Sequence, residues 1–462
     1  MTQPVLTKLV CSISDRKADL EFLTELYNSG TKILRLNTAH QSVETTREVI
    51  RNIRRVSDRI GIMLDTKGPE MRTRNVDDQI DIKIGDKIRI VTKVVNETEI
   101  PEFEVNYDGF VAEAPIDAVI LINDGKVKLR IIEKTAQYLL CHVEQGGSIG
   151  NKRSVNVPDV HFDLPAINVR DADYIQLAAD EDVEFIAHSF VRSKADVTAV
   201  RDLINHYGGI AQIIAKIENY EGIYNLDEII ESADAIMIAR GDLGVEVPFQ
   251  KVPQIQKQII TKCRNNEKPV ILATHLLESM RENMRPTQAE VSDVANAVFD
   301  GVDALTLTGE TADGAHPVEA AQTLLRIVQY NERLHPLLPV DSNPPLTEQI
   351  IYECRKAMEA ANFRLAKAIV ISSKEEKTIR FLSTFRSRVP LIVICSSQKE
   401  SKRFALYYSV TPIILENEGS MSDLFKQWDF DDKDYIIYLV HRTDHLHSEL
   451  LTLTSLCKLL NA

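Results

Sequence analysis

The sequence predicts an α/β protein: a (β/α)8 barrel with a β-rich lid domain inserted into one of its loops and a smaller α/β domain after it. Three observations predict this. Eight short β-branched runs are each followed by a helical pattern, and eight is the number of strands that closes such a barrel. Between the third run and the fourth the apolar period changes to two. A proline cluster at 334–349 then separates off a last set of strand and helix patterns.

The eight barrel runs lie at 7–13, 32–36, 61–65, 183–190, 212–218, 235–239, 269–274 and 303–308. From the fifth onward they recur about every 25–35 residues, the length of one strand, one helix and two loops. In the inserted segment, 68–164, apolar residues alternate, as in Ile80, Ile82, Ile84 and then Ile88, Ile90. Asn123-Asp124-Gly125 stands between the runs 119–122 and 127–132 and signals a hairpin. Removing the insert leaves roughly 240 residues in 1–67 and 165–335, close to the about 250 typical of a barrel. Beyond the prolines, 345–462 carries apolar strands at 368–372, 390–395 and 435–440.

Composition sets limits on function. The 462 residues are 44% hydrophobic and 26% charged, as in a globular protein, and a net charge of -14 argues against nucleic acid as a partner. No basic, apolar, small-residue leader pattern opens the chain, and no apolar run approaches the ~18–20 residues that span a bilayer. Six scattered cysteines without a Cys-x-x-Cys pair read as buried, reduced thiols of a cytoplasmic protein.

Chemistry in such a barrel gathers at the C-terminal ends of the strands. Here those ends carry Arg35 and Asn37, Asp65-Thr66-Lys67-Gly68, Lys216 and Glu218, Arg240-Gly241-Asp242, Thr274, and Thr308-Gly309-Glu310-Thr311. Each has a bland reading: Lys216 and Glu218 share a strand face and make a structural ion pair, Asp242 caps a helix, Thr274 is a satisfied hydroxyl. Together on one rim they would cost several kcal/mol of desolvation without a ligand. Two carboxylates, Glu218 and Asp242, suit Mg²⁺, while Lys216 and Arg35 suit a transferring phosphoryl group.

At these residues the chain resembles the pyruvate kinase family. Asp65-Thr66-Lys67-Gly68-Pro69-Glu70, Ala215-Lys216-Ile217-Glu218-Asn219 and Ala239-Arg240-Gly241-Asp242-Leu243-Gly244 stand in family order. So do Arg285-Pro286-Thr287, Ser292-Asp293-Val294-Ala295-Asn296-Ala297 and Gly309-Glu310-Thr311. The resemblance implies a phosphotransferase using phosphoenolpyruvate and ADP, dependent on Mg²⁺ (or Mn²⁺), stimulated by K⁺, and assembled as a homotetramer. It implies that Lys216, Thr274 and Arg35 are catalytic and that Gly241 and Asp242 join them in holding substrate. Glu218 and Asp242 would hold Mg²⁺, and Asn37, Asp65 and Thr66 would hold K⁺. Asn37, His40, Arg72, Asp124 and Lys152 would contact the nucleotide, the last two from the lid. Glu70 matches the residue that accompanies K⁺ dependence.

The chain departs from the family pattern at several points. Ala39 stands where a serine contributes a K⁺ ligand, Asn123 where the lid turn begins with an acid, and Ser14-Asp15-Arg16-Lys17 where the first loop reads Gly-Pro-Ala-Ser. The lid's Lys-Lys-Gly becomes Lys152-Arg153-Ser154. The sugar-phosphate activator loop of the family corresponds to 373–378, where Glu375 and Glu376 replace serine and glycine. Two other readings stay open on sequence: an Mg²⁺-dependent enolpyruvate aldolase or lyase barrel, and a catalytically reduced homologue kept for binding. His441, His445 and His447 read as a solvated C-terminal loop, with a metal site as the alternative.

Overall fold

The computed structural model describes residues 4–460 apart from 40, 77, 95–98, 335–343, 345, 364, 415–424, 426–427 and 443–444. Eight parallel strands, Lys8–Ile13, Ile33–Asn37, Gly61–Asp65, Phe185–His188, Gln212–Ile217, Ala235–Ala239, Val270–Ala273 and Ala304–Leu307, form a closed barrel in chain order. The last pairs with the first, Lys8 opposite Ala304. The strands read as unbroken apolar runs because both of their faces are covered. Val10, Ile33, Met63, Phe185, Ile214 and Met237 point inward into one cluster. Their neighbours Leu9, Leu34, Ile62, Ile186, Ile213 and Ile236 pack outward under the helices.

The helices start and stop where their caps dictate. Ser42 accepts from the Thr45 amide. Thr287 and Glu290 form a reciprocal capping box, and Gly301 closes that helix at φ 86°. The fourth strand, Phe185–His188, is shorter than the expected 183–190 at both ends, and past its C-terminal end Phe190 turns into left-handed backbone at φ 56°.

The segment after the third strand forms a seven-stranded sheet and a separate two-stranded one. The expected hairpin is present: Val119–Ile122 pairs antiparallel with Val127–Lys134, Ile122 opposite Val127. Asn123, Asp124 and Gly125 turn the chain with φ of 54°, 56° and 79°, residues that accept left-handed backbone more readily than most. The lid has its own core, in which Phe110 stacks on Phe162.

The C-terminal sheet runs Val410–Ile414, Leu391–Cys395, Ala368–Ser372, Tyr435–Arg442, His445–Thr452, parallel except for the last strand. The first and last of these were not expected from the sequence. The histidines therefore do not lie in a loop. His441 pairs with Leu446 and His447 with Val440, so His445 and His447 share one face of the ribbon and His441 takes the other. Strand pleating separates them, and among the described residues no three His, Cys, Asp or Glu gather as a metal site.

This domain also closes the barrel floor. Leu406 joins the inward-facing cluster of the strands. Around it Lys8 Nζ donates to the Val410 carbonyl at 2.6 Å, Ser409 N to Leu6 O at 2.9 Å, and Arg386 meets Asp303 at 2.6 Å. Among the described residues no helix is long and apolar enough to cross a membrane. The six cysteines carry no disulfide, and five are buried.

Candidate active site

The first, second, third and fifth strands and the turn after the fourth bring one buried network to the rim. Asp65 ends the third strand, and its Oδ2 accepts from Arg35 Nε at 2.7 Å. Its Oδ1 faces Lys216 Nζ at 3.1 Å. Lys216 also donates to Ser189 Oγ at 2.7 Å and meets Glu218 Oε1 at 2.9 Å. Arg35 donates a second bond to Ser12 Oγ at 2.7 Å. Lys216 is 7% exposed and Glu218 1%, so these charges are stripped of water and rely on one another.

Burial sets the ionisation of the group, and neighbouring charges then sort it. Burial would raise the Asp65 carboxyl, but Arg35 and Lys216 hold it below the ordinary value. Burial would strip the proton from Lys216, yet Asp65 and Glu218 more than offset this and keep it an ammonium ion. Burial raises Glu218; Lys216 opposes that rise and Asp242 adds to it, leaving the carboxyl at about 7. Asp242 is raised too, by loss of water within the cleft and by Asp124 of the lid, against the pull of Lys216.

Asp242 lies in the first turn of the short helix Arg240–Glu246, whose N-cap is Ala239, so it is not the cap that its position in sequence also allowed. Thr274 follows the seventh strand in left-handed backbone, φ 66°, and its Oγ1 accepts from the Gly241 amide at 2.8 Å. Arg240 fastens this corner, donating to the Thr274 carbonyl at 2.7 Å and pairing with Asp293 at 2.8 Å.

The oxygens expected at a K⁺ site are already engaged. Asn37 Oδ1 accepts from the Ala39 amide, Asp65 carries two cations, and Thr66 Oγ1 bonds to His188 Nδ1 at 2.9 Å. The carboxylates of Glu218 and Asp242 do suit a hard dication. They are oxygen donors that each feel the other's charge, and two protein ligands leave places for substrate oxygens and water.

Of the nucleotide set, Arg72 and Asp124 line a cavity of about 470 Å³ between lid and barrel that reaches Asp242. Arg72 grips Glu70 with two bonds, 2.6 and 2.7 Å, and donates to the Lys152 carbonyl at 2.8 Å. Lys152 sits on an exposed left-handed turn, φ 59°. Asn37 lies apart, on the barrel rim, and His40 falls outside the described residues.

Sequence reasoning missed several residues that hold this arrangement. Ser189 lies inside the charge network. Asp171 accepts from the amides of Lys67 and Gly68 at 2.9 and 3.0 Å, where the chain leaves the barrel for the lid. Arg192 donates to the carbonyls of Phe162 and Leu164 at 3.2 and 2.8 Å, where it returns. Asn156 of the lid donates to Glu246 at 2.8 Å, and Gly125 faces Val245, so the lid rests on the barrel. The fourth strand's polar end, His188-Ser189, was the available signal.

Comparison with known proteins gives one consistent result. Residues 5–321 match the family model described as pyruvate kinase, barrel domain, and 353–432 match pyruvate kinase, alpha/beta domain. A pyruvate kinase of Borreliella burgdorferi is 40% identical over 94% of this chain and 93% of its own. One from Geobacillus stearothermophilus is 40% identical over 87% of this chain and 70% of its own. A crystal structure of a pyruvate kinase from Cryptosporidium parvum superposes with a TM-score of 0.88 at 31% identity, covering 97% of this chain and 96% of the other.

Proposed function

The chain belongs to the pyruvate kinase family, and on that premise we propose how its residues divide the work. The reaction is the glycolytic transfer of a phosphoryl group from phosphoenolpyruvate to ADP, giving pyruvate and ATP. Family membership implies dependence on a divalent cation.

Lys216 and Arg35 face the transferring phosphoryl group and neutralise charge on its oxygens. Lys216 also stabilises the enolate oxygen left when the bond to phosphorus breaks. The observation that carries this reading is the buried Lys216 ammonium, held charged between Asp65 and Glu218. Glu218 and Asp242 would hold Mg²⁺ or Mn²⁺, which when bound supplies Lewis-acid polarisation of the substrate's oxygens. Gly241 and Asp242 lie where the substrate carboxylate binds, the Gly241 amide giving up its bond to Thr274 for it. Thr274, released, stands on the route by which a proton reaches the enolate methylene. Asn37, His40, Arg72, Asp124 and Lys152 contact ADP, and closure of the lid excludes water. Residues 1–67 and 165–335 act as catalytic barrel, 68–164 as lid and 345–462 as the regulatory-type domain. K⁺, through Asn37, Asp65 and Thr66, acts beside the contacts these residues already make, on lone pairs their oxygens keep. We place the protein in the cytoplasm as a homotetramer.

The test is a coupled assay with phosphoenolpyruvate, ADP, Mg²⁺ and K⁺. Pyruvate should form in step with ATP. No turnover would leave a catalytically reduced homologue or an aldolase or lyase, and release of pyruvate by carbon–carbon cleavage of a 4-hydroxy-2-oxo acid would separate those two.

A further inference from the structure

Lys216 has three N–H donors and three partners: Asp65 Oδ1, Glu218 Oε1 and Ser189 Oγ. Two of these are carboxylates with other claims on them, Asp65 from Arg35 and Glu218 from the divalent cation assigned to it. Ser189 is the neutral partner, and the shortest of the three contacts at 2.7 Å. Its own hydroxyl proton goes to the Thr66 carbonyl at 2.7 Å, with Asp65 Oδ1 farther off at 3.2 Å, so a lone pair is left facing Lys216.

Ser189 is itself fixed to the start of the lid. Its amide donates to Thr66 Oγ1 at 3.3 Å. A Cβ on Gly68 would fall 2.6 Å from the Ser189 carbonyl oxygen and 2.9 Å from its Cβ. Gly68 stands at φ 70° with its amide on Asp171, at the point where the chain leaves the barrel. Any side chain there would push against Ser189, and through it against Lys216.

We propose that Ser189 is the positioning residue of the reaction: it fixes the Lys216 ammonium and ties it to the first crossing of the lid at Gly68. This rests on the assignment of Lys216 to the phosphoryl group. Were Glu218 to hold a cation, one Lys216 donor would be free to turn toward substrate, and the Ser189 bond would keep the ammonium from following the carboxylate.

The experiment compares Ser189→Ala, Ser189→Cys and Ser189→Thr with the parent, each checked for an unchanged melting curve. Loss of one hydrogen bond to a charged group should lower kcat about ten- to a hundredfold in the Ala variant. KM for phosphoenolpyruvate and for ADP, and Mn²⁺ affinity by titration without substrate, should stay within about twofold. The Thr variant, which retains the hydroxyl, should recover most of the rate. Should the Ala variant fail to fold, the near-isosteric Cys variant carries the same expectation, since a thiol is a weak acceptor. The kcat losses of Gly68→Ala and Ser189→Ala should combine less than additively. An unchanged kcat, a change confined to KM, or a Thr variant no better than Ala overturns the positioning role; additive losses overturn the link to the lid. A parent that forms no pyruvate overturns the functional reading itself, whereas an active parent indifferent at Ser189 overturns only this inference.

Discussion

Lys216 Nζ lies 2.9 Å from Glu218 Oε1, two residues along the same strand end, in a pocket that leaves neither exposed by a tenth. A cation placed there costs desolvation that only a negatively charged partner or ligand offsets. Lys216→Met keeps the length of the side chain and removes the charge. Turnover should fall at least roughly 10²–10³-fold while the circular dichroism spectrum stays unchanged. Activity within a few-fold of the parent would remove Lys216 from the chemistry.

Asp242→Asn should raise the Mg²⁺ concentration needed for half-maximal rate and lower the rate itself. A neutral amide is a poorer ligand than a carboxylate for a hard dication, and Glu218 alone would remain. A Mg²⁺ titration that overlays the parent's would leave Asp242 a residue of the cleft wall only.

Stimulation by K⁺ should be weak. Ala39 offers no hydroxyl, and the Asp65 oxygens are held by Arg35 and Lys216. Rates in K⁺ buffer should exceed those in Na⁺ or Tris by a small factor, and equal rates in all three would show the cation dispensable.

Fructose 1,6-bisphosphate and related sugar phosphates should not activate through the loop at 373–378. Glu375 pairs with His441 at 3.1 Å, and Glu376 holds both Arg380 and Arg403. The carboxylates thus occupy the basic groups that a phosphate would need, and repel it besides. A fall in the half-saturating phosphoenolpyruvate concentration on adding the sugar phosphate, abolished by changing Lys377 or Thr378, would refute this.

Glu332 supplies a pH test at the barrel floor. Burial raises its carboxyl to about 7, against the amides of Thr7 and Leu6 that bond to it and the charge of Lys8. The folded form then binds more protons than the unfolded one between about pH 4.5 and 7, so this group's contribution to stability is lost as pH rises through that window. Glu332→Gln should flatten the slope, by about 3 kcal/mol at most across it. Denaturant titrations of parent and variant from pH 5 to 8 that run parallel would contradict the assignment.

The barrel and the lid were legible because long-range packing there leaves short-range marks. A strand covered on both faces must be apolar throughout, and the hairpin at Asn123-Asp124-Gly125 needs residues that accept positive φ. Arg35, Lys216 and Glu218 could be picked out because charged residues at the ends of apolar strands are costly. Ser189 left only the faint mark of a polar strand end, since a hydroxyl is cheap to place and its partners, Thr66 and Lys216, lie on or beside other strands. The strand His445–Thr452 was hidden because it is an edge strand whose polar face mimics a loop. Leu406 looked like any apolar residue, as nothing near it in sequence says that it enters the barrel.

That last contact bears on how the chain is made. The first strand, Lys8–Ile13, must wait for Ala304–Leu307 before the ring can close, and the floor stays open until Leu406 has been synthesised. The lid, contiguous in sequence and with its own core, has everything it needs much earlier. On the ribosome the inserted domain can therefore fold before the barrel that carries it, whose ring and floor are complete only once about half of the C-terminal domain has been made.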